Sequence, residues 1–182
     1  MLAANKYTYL KATNANIDEI EALYESVHSY CETNKNYPGW VRDLYPTRET
    51  AEDALLANTL FVVKMAGTIV ATFILSHDPE PGYGDIAWGS EDDYSKIFVV
   101  HTLAVHPDYF GQHIAKNIVN FILEYGKKEN MLEIRLDSYA GNLPALKLYE
   151  GAGFEYKGTV DLGHADIGLY DFRLYKYILE DK

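Results

Sequence analysis

The sequence contains a single cysteine and no long hydrophobic run. Because Cys31 stands alone, no intrachain disulfide can form, and its place in a predicted helix indicates a small packing residue. No apolar run approaches the roughly 20 residues of a membrane helix, and no signal-peptide pattern precedes Tyr7. We therefore expect a cytoplasmic protein that does not associate with membranes.

Basic residues are scarce. Lys and Arg number 16 against 27 Asp and Glu, which gives a formal net charge of −11. Such a chain repels phosphates, so we expect no nucleic-acid partner. The acidity suits a cationic partner such as an amine, and it suits plain solubility equally well. The six histidines show no ligand spacing with the cysteine, so we expect no metal, and the full G-x-G-x-x-G of dinucleotide-binding proteins is absent.

The chain has 182 residues, enough for one domain with a substantial core. Its hydrophobic periodicity predicts a mixed α/β domain in the order β, α, α, β, β, β, α, β, α, β, β. Ala66-Gly67 predicts a two-residue hairpin turn, and the strand–helix–strand segment 96–138 implies a right-handed parallel crossover. The predicted strands cover 6–12, 60–65, 68–76, 96–105, 132–138, 154–160 and 170–179, and the predicted helices 17–30, 47–57, 114–126 and 142–152.

Two stretches carry the candidate chemistry. Residues 103–116 indicate a buried strand, a turn with Pro107 and Gly111, and a helix start, whose N–H groups suit a phosphate. In the second stretch, 142–154, Asn142 and Tyr149 lie nearly in line on one helix face, because two turns take about 7.2 residues. Asn142 also suits a helix cap before Pro144, and Tyr149 also suits a packing residue.

These stretches resemble the GNAT superfamily of acyl-CoA-dependent N-acetyltransferases. Residues 103–115 (LAVHPDYFGQHIA) look like its strand, V-x-P-x-x turn and Gln/Arg-x-x-Gly-x-Gly/Ala pyrophosphate loop. Residues 142–154 (NLPALKLYEGAGF) look like its N-x-x-A-x-x-L-Y-x-x-x-G-F segment. Phe110 stands where the family has Gln or Arg, and His113 stands where it has the middle Gly. The resemblance covers the chain from about Thr8 onward.

The resemblance implies a mixed, mostly antiparallel sheet of six to seven strands flanked by about four helices, with a parallel strand pair splayed at the cofactor site. It implies a single acyl-CoA N-acyltransferase domain over residues 1–182. The implied reaction moves an acetyl group from acetyl-CoA to a primary amine of a small molecule or peptide by direct attack. Phe110 and His113 keep open an alternative, a non-catalytic acyl-CoA-binding sensor or interaction domain of the same fold.

By the same resemblance, Tyr149 is the acid that protonates the CoA thiolate, and Asn142 contacts the cofactor. Lys116 either adds charge to the pyrophosphate loop or is a solvated helix residue. Backbone groups of the strand meet the pantetheine arm and the acetyl carbonyl, and backbone N–H groups of the loop hold the pyrophosphate. The strand residues are Leu103, Ala104 and Val105, and the loop residues are Phe110, Gly111, Gln112, His113, Ile114, Ala115 and Lys116.

A proton acceptor is needed because a free alkylamine has a pKa of roughly 10.4. His101 titrates near neutrality and shares a strand face with Leu103 and Val105, which makes it a candidate base or relay. A satisfied core histidine is the structural alternative. An ordered water chain and four side chains are rivals for the role: Glu91, Asp92, Asp93 and His164.

The acceptor pocket is expected at the first two helices and the loops near them, where aromatic residues are dense. An aromatic and acidic rim suits a cationic amine. The same side chains are equally compatible with a contact between the subunits of a homodimer. They are Tyr24, His28, Tyr30, Tyr37, Trp40 and Tyr45.

Overall fold

The structure is a computed structural model that describes residues 6–90 and 92–179, with the backbone alone at Asp166. Seven strands form one mixed sheet in the order β1-β2-β3-β4-β5-β7-β6. The strands are β1 (Thr8–Lys11), β2 (Leu60–Met65), β3 (Thr68–Ser76), β4 (Ile97–Val105), β5 (Glu133–Tyr139), β6 (Glu155–Val160) and β7 (Phe172–Ile178). The helices are α1 (Ile17–Thr33), α2 (Arg48–Leu56), α3 (Ile114–Lys128) and α4 (Leu143–Gly151).

Strands β4 and β5 run parallel and are joined through α3, as the strand–helix–strand pattern predicts. Their ladder runs from the pair Ile97–Glu133 to the pair Val100–Leu136. The pairs β1–β2, β2–β3, β5–β7 and β6–β7 are antiparallel. The predicted fold class, a mostly antiparallel seven-stranded sheet with four helices, is confirmed. The expected splay of β4 and β5 stays a prediction.

The chain groups into two compact units. The first unit takes in residues up to 36, 40–75 and 102–114. It holds the meander β1–β3, whose hairpin turns at Ala66 (φ 49°) and Gly67 (φ 91°), the paired positive angles of a type I′ turn. The apolar face of α1 packs in its core, where Leu23 and Cys31 are buried with Val62 of β2.

The second unit takes in residues 37–39, 76–101 and 115 onward. Its core gathers Tyr83, Trp88, Val99, Phe172 and Leu174.

Helix α3 approaches the second unit's sheet closely at Gly126. A Cβ there would lie 2.7 Å from Cδ1 of Leu179 and 2.9 Å from Cδ1 of Ile134. The glycine therefore permits a distance that no other residue permits without repacking.

The connection from β3 to β4 (residues 77–96) is a packed part of this second unit. It contains two short 3₁₀ turns, Pro81–Asp85 and Tyr94–Lys96, and it buries Tyr83 and Trp88. The Trp88 indole donates to the Tyr83 carbonyl at 2.9 Å. The connection therefore packs these aromatic residues into the unit and does not expose them to solvent.

Charged residues on one face of β5 anchor this connection. The fully buried Arg135 guanidinium donates to Glu133 at 3.0 Å, to Asp92 at 2.7 Å and to the Tyr94 hydroxyl at 3.0 Å. On β7, the buried Lys176 ammonium donates to the Trp88 carbonyl at 2.7 Å. Buried charges persist only when they are paired and hydrogen-bonded, and this network meets that condition.

Candidate active site

The proposed pyrophosphate loop joins β4 to α3 through a one-turn 3₁₀ helix, Pro107–Tyr109. The N–H of Phe110 donates to the Pro107 carbonyl at 3.0 Å, and the N–H of Gln112 donates to the Tyr109 carbonyl at 3.4 Å. These two amides of the expected cradle therefore bond within the turn. The first-turn amides of α3, which have no carbonyl partner within their helix, are the natural donors to an anion.

Two residues of the loop have left-handed backbone, and one of them, His113, stands at the motif's middle Gly position. Gly111 has φ +77° and His113 has φ +59°. A Cβ at Gly111 would have no atom within 4 Å, so the turn is open there. The first turn of α3 contains no acidic residue. The helix start, the open turn and a first helical turn without carboxylates fit a bound phosphate.

Side chains tie the loop to the rest of the first unit. Phe110, 47% exposed, packs edge-on against Tyr30 of α1 with ring centroids 5.1 Å apart. The side-chain amide oxygen of Gln112 accepts a hydrogen bond from the Lys6 ammonium at 2.9 Å, and the backbone carbonyl of Gln112 accepts one from the Tyr7 hydroxyl at 3.1 Å. Ile114 is buried, Ala115 is half-buried and Lys116 is exposed. The loop is thus fixed to the first unit through Phe110 and Gln112.

Thr102 interrupts β4 with left-handed backbone. Its φ of +48° is an outlier for a β-branched residue, and such a conformation costs on the order of 1–3 kcal/mol and persists only where its surroundings enforce it. The Thr102 hydroxyl is hydrogen-bonded to the Tyr45 hydroxyl. Beyond it, Ala104 is buried in the first unit's core, and Leu103 and Val105 are half-buried. Strain of this kind marks functional sites.

Helix α4 begins at Asn142, whose side-chain oxygen accepts from the Ala145 N–H at 3.4 Å. The capping interpretation of Asn142 is confirmed, with Pro144 in the first turn. Tyr149 is buried between Phe154, at 5.8 Å between centroids, and Tyr175, at 6.3 Å. Burial, and then the charge of Asp137, raises the pKa of Tyr149. A phenol in this environment holds its proton and can only donate it.

His101 faces hydrogen-bond acceptors at both ring nitrogens. Its Nε2 lies 3.0 Å from the Asp78 carbonyl oxygen, and its Nδ1 lies 3.4 Å from a Glu80 carboxylate oxygen. Burial lowers the pKa of His101, but Glu80, Asp137 and the Asp78 carbonyl raise it by more, so the net shift is upward. The hydrogen bond from His101, in turn, lowers the pKa of Glu80. The side chain of His101 is only 16% exposed.

Asp137 of β5 completes this polar cluster. The buried Tyr83 hydroxyl donates to its carboxylate at 2.9 Å. Burial raises the pKa of Asp137 despite the opposing effects of His101 and Tyr83. The pKa of Tyr83 is raised well above its usual value by burial and by the Asp137 charge. Groups whose pKa values are shifted by burial and by specific charged partners cluster at functional sites, so these three residues form the candidate acid–base group.

The rival proton acceptors lie in different surroundings. Asp92 pairs with Arg135, and Asp93 accepts from the Ser95 N–H and hydroxyl at 3.1 and 2.6 Å. Both carboxylates thus form hydrogen bonds or ion pairs that stabilise the connection between β3 and β4. Glu91 lies outside the described residues. His164 is exposed, and its charge lowers the pKa of both Glu80 and Asp137.

The aromatic residues expected at the acceptor pocket differ in how deeply they are buried. Tyr24 and His28 are 1% exposed and lie inside the first unit, where His28 bonds to the Pro46 carbonyl at 2.9 Å. Tyr30 and Tyr45 are partly exposed, and Trp40 and Tyr37 are half-buried.

An acidic groove of about 430 Å³ lies between α1 and the turn after β4. It is lined by Glu25, Ser26, Ser29, His106, Pro107 and Asp108.

Sequence reasoning missed Glu80 and Asp137. The signal for Asp137 was present, because Glu133, Arg135 and Asp137 occupy alternate positions of one strand and share a face. A polar face on a strand that is buried throughout requires partners. Glu80 carried no local signal, since only the fold of the connection brings it to His101.

Comparison with known proteins places the chain in a family. The model of the "Acetyltransferase (GNAT) family" matches residues 20–154. Solved structures share the fold over nearly the whole chain. A GNAT-family acetyltransferase from Streptococcus agalactiae is 19% identical with a TM-score of 0.79, covering 96% of both chains. No curated protein matches the chain at a significant level.

Two further solved structures share the fold, one with a bound cofactor and one with a stated acceptor. The Salmonella typhimurium protein yncA, solved with its cofactor acetyl-CoA, is 13% identical with a TM-score of 0.69, over 98% of this chain and 96% of that one. The ribosomal-protein-S18-alanine N-acetyltransferase of Escherichia coli is 14% identical with a TM-score of 0.66, over 97% and 96%.

The chain belongs to the GNAT family of acetyltransferases and is accordingly an acyltransferase. Enzymes of this family take the acetyl group from acetyl-CoA.

Proposed function

We propose that this protein is an N-acetyltransferase that moves the acetyl group of acetyl-CoA to a primary amine of a small molecule or peptide by direct attack. The observation that carries the proposal is the loop before α3, which is left-handed at both Gly111 and His113 and opens a helix. That geometry suits a pyrophosphate group, and the family membership supports acetyl-CoA as its source. A single domain over residues 1–182 remains part of the proposal.

Groups of three kinds are assigned to bind acetyl-CoA, the acetyl donor. Backbone amides of the loop residues, with the Lys116 ammonium, hold the pyrophosphate. Backbone groups of Leu103, Ala104 and Val105 meet the pantetheine arm and the acetyl carbonyl. Asn142 contacts the cofactor with the part of its amide that does not cap α4.

The proton steps are assigned to His101 and Tyr149. An ammonium acceptor loses two protons when it becomes an amide: one leaves for solvent, and one accompanies the thiolate as CoA-SH. Neutral His101 takes the first, with Glu80 and Asp137 stabilising the imidazolium that forms. Tyr149 donates to the CoA thiolate and is reprotonated from the attacking nitrogen, directly or through water.

The acceptor is proposed to be a cationic amine. The groove beside α1 carries Glu25 and Asp108, and the partly exposed rings of Tyr30 and Tyr45 belong to the same unit. An acidic and aromatic surface attracts a cation. A peptide amine is as well supported as a small molecule, since the E. coli relative acts on the alanine of a ribosomal protein.

We keep a cytoplasmic location and a homodimer as predictions. In the part of the chain that the structure describes, no helix has the length and apolar character needed to cross a membrane.

The test combines binding and turnover. Calorimetry measures acetyl-CoA binding, and a thiol reagent measures CoA release with propylamine, putrescine, spermidine, tyramine, an unblocked alanyl peptide and a lysyl peptide. We expect binding and release above the rate without amine for at least one acceptor. A protein that neither binds acetyl-CoA nor releases CoA with any of them contradicts the proposal. Binding without release supports the non-catalytic acyl-CoA sensor instead.

A further inference from the structure

Thr102 and Tyr45 form a hydroxyl pair at the most unusual backbone position of β4. Thr102 is 8% exposed and holds φ +48°, an angle that β-branched residues avoid. Its hydroxyl is hydrogen-bonded to the Tyr45 hydroxyl. A conformation of this kind persists only where neighbouring groups enforce it, and Tyr45 supplies a side-chain bond to this residue.

Tyr45 itself is firmly held. Its N–H donates to the Val41 carbonyl at 3.0 Å, and its ring packs edge-on against Trp40 at 6.1 Å. Trp40 packs against the first unit's core. Between them, Arg42 forms ion pairs with Glu25 and Glu32 of α1. Segment 40–45 is therefore tied to α1 at one side and presents the Tyr45 hydroxyl to Thr102 at the other.

The strand that follows Thr102 is the one assigned to the acetyl carbonyl. The backbone angles of Thr102 set the direction of the Thr102–Leu103 peptide group relative to the one before it. The far end of the stretch is fixed by the His106 N–H, which donates to the Val70 carbonyl of β3 at 2.9 Å. Residues 103–105 are thus held at one end by β3 and at the other by the Tyr45–Thr102 pair.

We propose that Tyr45 is a positioning residue for acetyl transfer: by bonding Thr102 it holds the left-handed backbone that aims the amides of residues 103–105. The inference rests on the proposed function, in which those amides meet the acetyl carbonyl. It also assigns segment 40–45 a part in the chemical step and not only in acceptor binding. Misplacing reacting groups by about 1 Å costs up to roughly 10²-fold in rate.

The test uses four variants with the best acceptor of the amine panel. Tyr45→Phe removes only the hydroxyl and keeps the ring against Trp40. Thr102→Gly accepts positive φ without strain, so its backbone needs no hydroxyl partner, and the double variant combines both changes. Tyr156→Phe is the matched control, because Tyr156 forms a similar bond with Thr159 at 2.8 Å on the exposed strand β6.

We expect Tyr45→Phe to lower kcat by about 10-fold while the KM for acetyl-CoA changes by less than about 2-fold. In the Thr102→Gly background the same change should cost less than about 2-fold, and Tyr156→Phe should match the wild type. An unchanged kcat, an equal loss in both backgrounds, or a loss confined to the KM for acetyl-CoA overturns the proposal.

A structural readout separates this inference from the proposed function. Crystal structures should show Thr102 at positive φ in the wild type and at extended or mixed angles in Tyr45→Phe. If φ stays positive while kcat falls, Tyr45 acts by another route and the inference is wrong. If the wild type itself shows no acetyl-CoA binding or turnover, the proposed function fails, and the Thr102 angle still decides whether Tyr45 controls this backbone.

Discussion

At the scale of single residues, Tyr149 carries the clearest prediction. Its pKa is raised by burial and by Asp137, so it is protonated throughout the physiological range. Replacing Tyr149 by Phe keeps the aromatic packing but removes the donated proton. We expect kcat to fall by roughly 10²-fold, the usual worth of general-acid catalysis, in a steady-state assay of CoA release.

Tyr175→Phe is the control for Tyr149, because Tyr175 packs in the same aromatic cluster and bonds to Glu150 at 2.8 Å. It should retain kcat within about 3-fold. Equal rates for the wild type and Tyr149→Phe would show that CoA leaves as the thiolate, or takes its proton from another group.

His101 predicts a pH dependence with a definite sign. Its neutral form accepts the proton, so kcat/KM should fall as the pH drops below its pKa. The Glu80 carboxylate raises that pKa, so Glu80→Gln should lower it and move the acid limb of the profile to lower pH. Asp137, His164 and Tyr83 also face this cluster and remain in the variant.

The measurement is kcat/KM from about pH 5 to 9 for the wild type and Glu80→Gln. His164→Gln serves as a comparison. Loss of its imidazole removes a group that lowers the pKa values of Glu80 and Asp137. An acid limb that stays in place in Glu80→Gln would exclude His101 as the titrating group.

At the scale of elements, variants of the loop before α3 can distinguish acetyl-CoA binding by the loop backbone from binding by its side chains. His113 is exposed and already at φ +59°. His113→Gly should therefore leave acetyl-CoA affinity within about 3-fold, because glycine accepts this angle at no cost. His113→Pro fixes φ near −65° and should weaken binding by at least about 10-fold.

Calorimetry with acetyl-CoA measures both variants, and thermal unfolding checks that each is folded. Similar losses in His113→Gly and His113→Pro would mean that the imidazole, and not the backbone, holds the donor.

The elements also show what the sequence predicts and where it stops. The hairpin at Ala66-Gly67, the cap at Asn142 and the parallel pair β4–β5 follow from local patterns and are all present. Thr102 could not be anticipated, because a β-branched residue within an apolar run predicts ordinary strand backbone. Its angle is set by a partner from a distant segment.

The cluster of His101, Glu80 and Asp137, proposed to be catalytic, shows the same limit. His101 stands out in the sequence because it is a titratable residue in an apolar strand. Glu80 meets it only when the connection 77–96 folds back, and Asp137 arrives through the parallel crossover. Non-local contacts of this kind leave no periodicity in the sequence, so the sequence points to His101 alone and not to its combination with Glu80 and Asp137.

At the scale of the whole molecule, net charge governs encounter rates. The formal charge of −11 repels acetyl-CoA, which is anionic, and attracts a polyamine. Raising NaCl from about 20 to 300 mM screens both effects. We expect kcat/KM to rise for acetyl-CoA and to fall for spermidine, by several-fold each, in initial-rate measurements.

Propylamine, with one charge, is the control for spermidine and should show a smaller decrease. Parallel decreases for acetyl-CoA and spermidine would point to a general effect of salt on the enzyme rather than to screening of its field.

The buried Arg135 has a consequence for how the second unit folds. Glu133 of β5 pairs with the Arg135 charge and with that of Lys176, and the connection supplies their remaining partners, Asp92, Tyr94 and the Trp88 carbonyl. Until these partners arrive, water must satisfy the remaining donors on that face of β5 and β7. Removal of this water is therefore coupled to the docking of residues 88–90 and 92–94, so the connection belongs to the folding unit it covers.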